Sequence, residues 1–576
     1  GSYNVAVGYN VDVASATGDT QLAIGCASSN WITGDSSFNV CLANGTAIKA
    51  MADGKMCATC FIGNGAGLTN LPGFEADAQG NLWAAYGAGA ASDADTLFNI
   101  GLGYYAGCSL NSGDYNVLFG YNAGCCLTLG ERNVAIGKDA FAGASGSIPT
   151  GNDNILLGCR SGRCISSAAA NIAIGSLALG ASTVTGGSNI MIGECTGRYT
   201  TTGNCNIAIG QMAMAGQTVE NHNNVALGYK AGHNITTGSK NFFGGYCAAS
   251  INNVQGNNNV AIGPTAGASL TIGQYNVFFG LNAGYKAAAA CDAIAIGHDA
   301  GYCFSSTTYN YNIAIGKNAI RCGGGGGDVA IGCDAGACVT SAGSMNVFIG
   351  RAAGKLGDTS TGNVYIGRYA GRGVLGCTNS YNTFIGQDAG KDVQYGNRNT
   401  AIGSLALSNI TTGCCNNVIG QYAGGTITTG GCNTFIGNYS GDTISTGSGN
   451  VLIGHCVDAS NADKQFKIGC NASWWICGDS NFNVYDKDGN SFGFGPDSQE
   501  NLYAGTSAGA ASDSDTCFNI GFGDCALKAV NAGDRNVVLG KEAGCNITWG
   551  SDNVFLGGYA GQNNNGNQNI LTRRHS

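Results

Sequence analysis

A pentapeptide typified by Asn133-Val-Ala-Ile-Gly137 returns, with small changes, every 17 or 18 residues through most of this chain. Its closing glycine recurs 21 times between Gly103 and Gly454. A unit that short cannot bury an apolar face alone, so stacked copies must share one continuous core, as in a solenoid. The spacing therefore predicts an all-β chain, a parallel β-solenoid (β-roll) of 17–18-residue turns. Composition agrees: 98 Gly, 4 Pro and 11% charged residues among 576 do not suit a helical or α/β protein, whereas 44% hydrophobic residues suffice for a core. A net charge of −9 argues against a nucleic-acid partner. No apolar run is long enough for membrane insertion.

One turn can be read position by position, with the closing glycine as zero. Asn occupies position −4 in 19 of the 21 copies, Ala293 and Asp328 being the exceptions. Identical residues in successive turns lie about 4.8 Å apart, a spacing at which Asn side chains bond along the axis. Asn116, Asn133, Asn154, Asn171, Asn189, Asn206 and Asn224 are thus the expected rungs of an amide ladder. Positions −3 and −1, usually Val or Ile and Ile, Leu or Phe, share one strand face and are assigned to the core. Ala stands at +3 in 17 of the 21 copies. A second short extended run, as at Ile235 to Gly238 and Ile410 to Gly413, is expected to form the opposite wall.

That assignment turns position −2 outward, although it is apolar in Leu118, Met191, Phe278, Phe348, Tyr365 and Phe435. A continuous exposed apolar stripe is an aggregation hazard, so these residues are expected to form a trimer face in a parallel homotrimer. The alternative is a monomer whose loops cover that face. Twenty steps would make the main shaft roughly 100 Å long.

The regular repeats divide the chain into short solenoid turns plus connector (1–42), an irregular connector (43–98), a main shaft (99–459), a second connector (460–522), a short solenoid (523–562) and a polar tail (563–576). Two stretches recur far apart. Trp31 to Val40 reappears as Trp475 to Val484, and Asn81 to Ile100 matches Asn501 to Ile520 at a constant offset.

The Asn-(Val/Ile)-Ala-Ile-Gly-x-x-Ala-Gly turns, the Trp31-Ile-Thr-Gly-Asp-Ser-Ser-Phe-Asn-Val40 element and the linker from Gly63 to Leu71 resemble tail-fibre and surface-fibre proteins of phages and large DNA viruses. The turns are also similar to the left-handed β-roll of trimeric autotransporter adhesin heads, with a longer period here that leaves the handedness open. The resemblance implies an extracellular structural protein on the virion surface, mediating host attachment through a host-surface glycan or protein and joined to other fibre or virion proteins. It also implies autoproteolytic maturation by a self-cleaving C-terminal chaperone, which would leave Ser576 as the maturation end. The other reading of Ser576 is a simple boundary of the sequence. A cellular trimeric adhesin or surface filament, and a glycan-degrading tail spike, are the rival functions.

The 27 cysteines include several that share a column: Cys108 with Cys125, Cys415 with Cys432, and Cys303 with Cys322 and Cys338. Stacked cysteines fall within disulfide reach, so axial staples are expected, against the alternative of small buried thiols. Cys57-x-x-Cys60 lacks the second pair of a zinc ribbon. The five histidines do not cluster with a nucleophile or a metal-ligand pattern, and Gly323 to Gly327 lack the context of a phosphate cradle. No catalytic centre, metal or cofactor is expected.

Overall fold

The computed structural model describes residues 4–9, 22–26, 29–34, 40–42, 49–50, 56–57 and 76–572, the last without 144–148, 217–219, 305–310, 341–344, 358, 377, 472, 480, 482 and 490–496. Ser576, Cys60, His575 and the 63–71 linker lie outside the described residues. The chain divides into two compact units, Gly1–Glu75 and Ala76–Ser576. In the first, Val5–Tyr9 pairs in parallel with Leu22–Cys26. The antiparallel strands Ser29–Gly34, Val40–Leu42, Lys49–Ala50 and Met56–Cys57 follow in order.

The second unit is a parallel β-solenoid, with no helix among its described residues. Each turn contributes one three-residue strand, paired in parallel with the strand one turn before and after: Val134 sits beside Val117 and Ile155. This pairing starts at Leu82–Ala84, a turn before the expected boundary at 99, and runs in sequence order to Phe466–Cys470. There the direction reverses. Phe466–Cys470 pairs antiparallel with Ser473–Gly478, which pairs antiparallel with Val484–Asp486. A register shift at Ile468/Gly469 matches one at Ile24/Gly25 in the first unit, so the recurring Trp element is a recurring strand reversal that ends a parallel stack. A second coil then starts at Leu502–Ala504, before the expected 523, and its last strand, Ile570–Thr572, lies in what reads as a polar tail.

The strand faces are the reverse of the sequence expectation. From Ile100–Leu102 to Val451–Ile453 the middle residue of every strand is buried, while position −3 is never fully buried. Leu118, Met191, Phe278, Phe348, Tyr365 and Phe435, expected on a trimer face, are at most 1% exposed and fill the chain's own core. Ile136, Val277, Phe279 and Ile436 point outward at 38–53% exposure rather than forming the core. The reason is the corner. Ala at +3 and the apolar residue at +7, such as Ala123 and Leu127, are fully buried, and only position −2 points into the narrow space between them.

Many turns fill that space from both sides, as Phe435 with Ile444 and Leu118 with Leu127 do, and in one stretch neighbouring turns trade volume across it. Phe278 faces a turn whose +7 residue is Ala287, whereas Ala295 shares its turn with Phe304; the two rings lie 6.3 Å apart. Where +3 is Ser, its hydroxyl is satisfied by the next turn: Ser161 Oγ donates to the Ala173 carbonyl at 2.6 Å and Ser440 Oγ to the Leu452 carbonyl at 3.1 Å. The closing glycine is required twice over. Gly120 has φ +132°, and a Cβ there would lie 2.6 Å from the Gly137 carbonyl oxygen.

The opposite wall is a row of single buried side chains joined by isolated parallel bridges, such as Ile235 with Val254 and Ile165 with Val184, and not a continuous strand ladder. In the turn at Ile410, the amides of Thr411, Thr412 and Gly413 all donate to the one carbonyl of Thr428, at 2.9–3.2 Å, so no alternating ladder can form.

Candidate interaction surfaces

From Asn116 to Asn224 the inward-facing Asn column is a fully accounted hydrogen-bond ladder. Asn133 donates its backbone N–H and its Nδ2 to Asn116 Oδ1, both at 3.0 Å, and its second Nδ2 proton to the Gly151 carbonyl across the coil at 2.9 Å. Asn154 repeats the pattern on Asn133, and Asn116, Asn171, Asn189, Asn206 and Asn224 do so on the Asn below each. Each carboxamide thus uses both protons and accepts twice, which no other side chain of its size can do. All seven are buried.

The ladder has built ends. Asn81, its first rung, has no Asn below and takes Asp77 instead: its backbone N–H donates to Asp77 Oδ1 at 2.8 Å and its Nδ2 to Oδ2 at 3.1 Å. Asp497 receives Asn501 of the second coil at the same distances, 2.8 and 3.1 Å. These caps escaped the sequence reading, although Asp77 and Asp497 stand four residues before matching asparagines. At the far end Asn450 Oδ1 accepts the Gln465 backbone N–H at 2.8 Å.

It also has a defect. Ala293 offers no acceptor, and buried Asn312 Nδ2 above it has no partner. On the next rung Asp328 accepts from Asn346 N and Nδ2, both at 2.9 Å, but its Oδ2 occupies the place of an amide donor and is unpartnered. Burial pushes the Asp328 carboxyl up to about 6, against the opposing pull of the Asn346 donors.

The cysteine columns exist, but the staples do not. Cys108, Cys125, Cys303, Cys322, Cys338, Cys415 and Cys432 are all free thiols. Cys108 Sγ donates to the Cys125 carbonyl at 3.2 Å, a backbone contact that takes the place of a sulfur bond. Burial pushes the thiols of Cys108, Cys303 and Cys338 up, and that of Cys125 to about 12, which keeps them protonated and poorly nucleophilic.

Two features dominate the exterior. One is the pair of outward columns at −3 and −1. Across the 21 strands from Ile100–Leu102 to Val451–Ile453 neither column holds a charge, and only Gly244, Thr383, Thr400, Asn417 and Thr434 are not aliphatic or aromatic. The other is the corner between +1 and +6. Tyrosines stack there from turn to turn, Tyr86 on Tyr104 at 5.3 Å, Tyr104 on Tyr121 at 5.7 Å and Tyr422 on Tyr439 at 5.1 Å.

In the five corners following Gly316, Gly332, Gly350, Gly367 and Gly386 the chemistry turns basic. Lys317, Arg351 and Arg368 occupy +1, and Arg321, Lys355, Arg372 and Lys391 occupy +5, against three carboxylates, Asp334, Asp388 and Asp392. The guanidinium carbons of Arg351, Arg368 and Arg372 lie 5.9, 5.1 and 5.9 Å from the centre of the Tyr369 ring. Lys355 pairs with Asp334 at 3.1 Å and Arg321 with Asp299 at 3.7 Å.

Among the described residues no three His, Cys, Asp or Glu side chains gather as a metal site, and no helix is long and apolar enough to cross a membrane. Compared with known protein families and with curated proteins, the chain matches none.

Proposed function

We propose that the chain is the shaft of an extracellular, parallel homotrimeric viral fibre that mediates attachment to a host surface. The observation that carries the assembly is the uncharged pair of outward columns, sustained over 21 strands. Water-facing strands do not stay apolar on their outer side for that distance. A cover for such columns must present apolar side chains at the same rise over the same length. Another copy of this chain in parallel register does so by construction. In a cyclic trimer the −3 column of each copy meets one neighbour and the −1 column the other, and the assembly closes.

Attachment rests on the resemblance of the repeat to viral fibres, and the mechanism is multivalent. A stiff coil carries three copies of each surface feature along its length, so weak contacts sum to avidity. Light scattering on the full chain should give three times the 58.0 kDa chain mass. Phe279→Asp with Ile436→Asp, both outward, should release monomers that keep their β circular dichroism. A monomeric or dimeric parent chain overturns the reading.

A further inference from the structure

Three guanidinium groups within 6 Å of one tyrosine need an explanation in a chain of net charge −9. Arg351, Arg368 and Arg372 form no ion pair among the described residues, although carboxylates are in the majority over the whole chain. Arg372 Nε is buried without a hydrogen-bond partner. The Tyr369 ring offsets part of the mutual repulsion, since a ring face attracts cations. It leaves the planar N–H forks unused, and those forks match a carboxylate or sulfate with two parallel hydrogen bonds.

The surrounding cations extend this cluster along the coil. Positions +1 and +5 each form a column with a step of about 4.8 Å per turn, so the seven cations make a track roughly 20 Å long over five corners. A linear polymer with an anionic group on every unit or two fits such a track. A phosphodiester strand fits it less well. Single-stranded nucleic acid is held by bases stacking on open aromatic faces, and the Tyr369 ring is already covered by guanidinium groups.

We infer that the corners after Gly316 to Gly386 bind an anionic polysaccharide, with Arg351, Arg368 and Arg372 taking its sulfate or carboxylate groups and the flanking lysines its neighbours. This names the receptor class for the attachment role and depends on that role only for its biological meaning. A receptor of this class would be engaged in a salt-dependent way, through charge rather than through sugar stereochemistry.

The test uses the full chain and four immobilised polymers: dextran sulfate, polygalacturonate, neutral dextran and poly(dT). Binding to dextran sulfate or polygalacturonate is expected, with the tighter of the two assigning sulfate or carboxylate. Arg351→Glu with Arg368→Glu, both exposed, should weaken it at least tenfold. Arg351→Lys with Arg368→Lys, which keeps the charge and loses the forks, should weaken it several-fold and guards against misfolding as the cause. The same charge change at Lys138 and Lys230 should leave it intact. No binding to either anionic glycan, equal loss in the control variant, or tighter capture by poly(dT) overturns the inference. Retention of the chain by neutral dextran, unaffected by the arginine variants and without binding to the charged polymers, overturns the inference and leaves attachment standing.

Discussion

At the level of single residues, the asparagine ladder explains why one side chain returns nineteen times and what its substitution does. Asp328 has the shape of the rung but lacks the donor, and its carboxyl is raised to about 6 by burial. A native value above the unfolded one means that the folded chain binds this proton more tightly. The contribution of this group is therefore fully present below about pH 4, is lost as pH rises through 6, and is flat above. Its full size is on the order of 3 kcal/mol, from a shift of about two pH units. Asp328→Asn replaces the orphaned oxygen with a donor and should stabilise the coil by ~1–3 kcal/mol at pH 7.5 and little at pH 4. Denaturant melts of parent and variant at the two pH values check this, because their difference removes the other carboxylates. An equal effect at both pH values would show that Asp328 does not titrate in this window.

Within one turn, the decisive question is which strand face is inside. In the dissociated chain, Phe278→Ala empties a fully buried position and should cost about 3–5 kcal/mol, whereas the neighbouring Phe279→Ala, at a side chain 53% exposed when no other copy covers it, should change stability by about 0.5 kcal/mol or less. Urea unfolding of the two variants gives the ranking, and the opposite order would return position −2 to the exterior. The existence, period and parallel direction of the turns were legible in the repeat, and so was the Asn ladder. The facing was not, because a three-residue strand that is apolar throughout has no alternation from which to read its phase. A subtler signal was present. Position −2 varies in size from Ala to Phe to Tyr, as an interior of changing width requires, while the outward −1 column is Ile in most turns. The cysteine columns were legible as columns, but sequence spacing fixes the rise between turns and not where each Sγ points. The basic corner around Tyr369 is spread over turns some 17 residues apart, and only stacking brings it together.

For the whole second unit, the two coils bury separate cores, one from Ala106 to Ala459 and one from Ala526 to Ala560. The strand reversal at Phe466–Cys470 ends the parallel stack of the first, and Asp497 caps the ladder of the second. In a stacked array stability is a sum of turn and nearest-neighbour contributions, so cooperativity passes along a continuous stack and fails where contacts between turns stop. The short coil, with five strands and eight buried residues in its core, has fewer neighbours to share each local loss. Calorimetry on the full chain should therefore show two transitions, with the smaller at lower temperature. Phe555→Ala should lower that one alone, and Phe435→Ala the other alone, since each ring is fully buried in its own core. A single transition that both variants shift equally would mean that the coils unfold as one body and that the reversal transmits order.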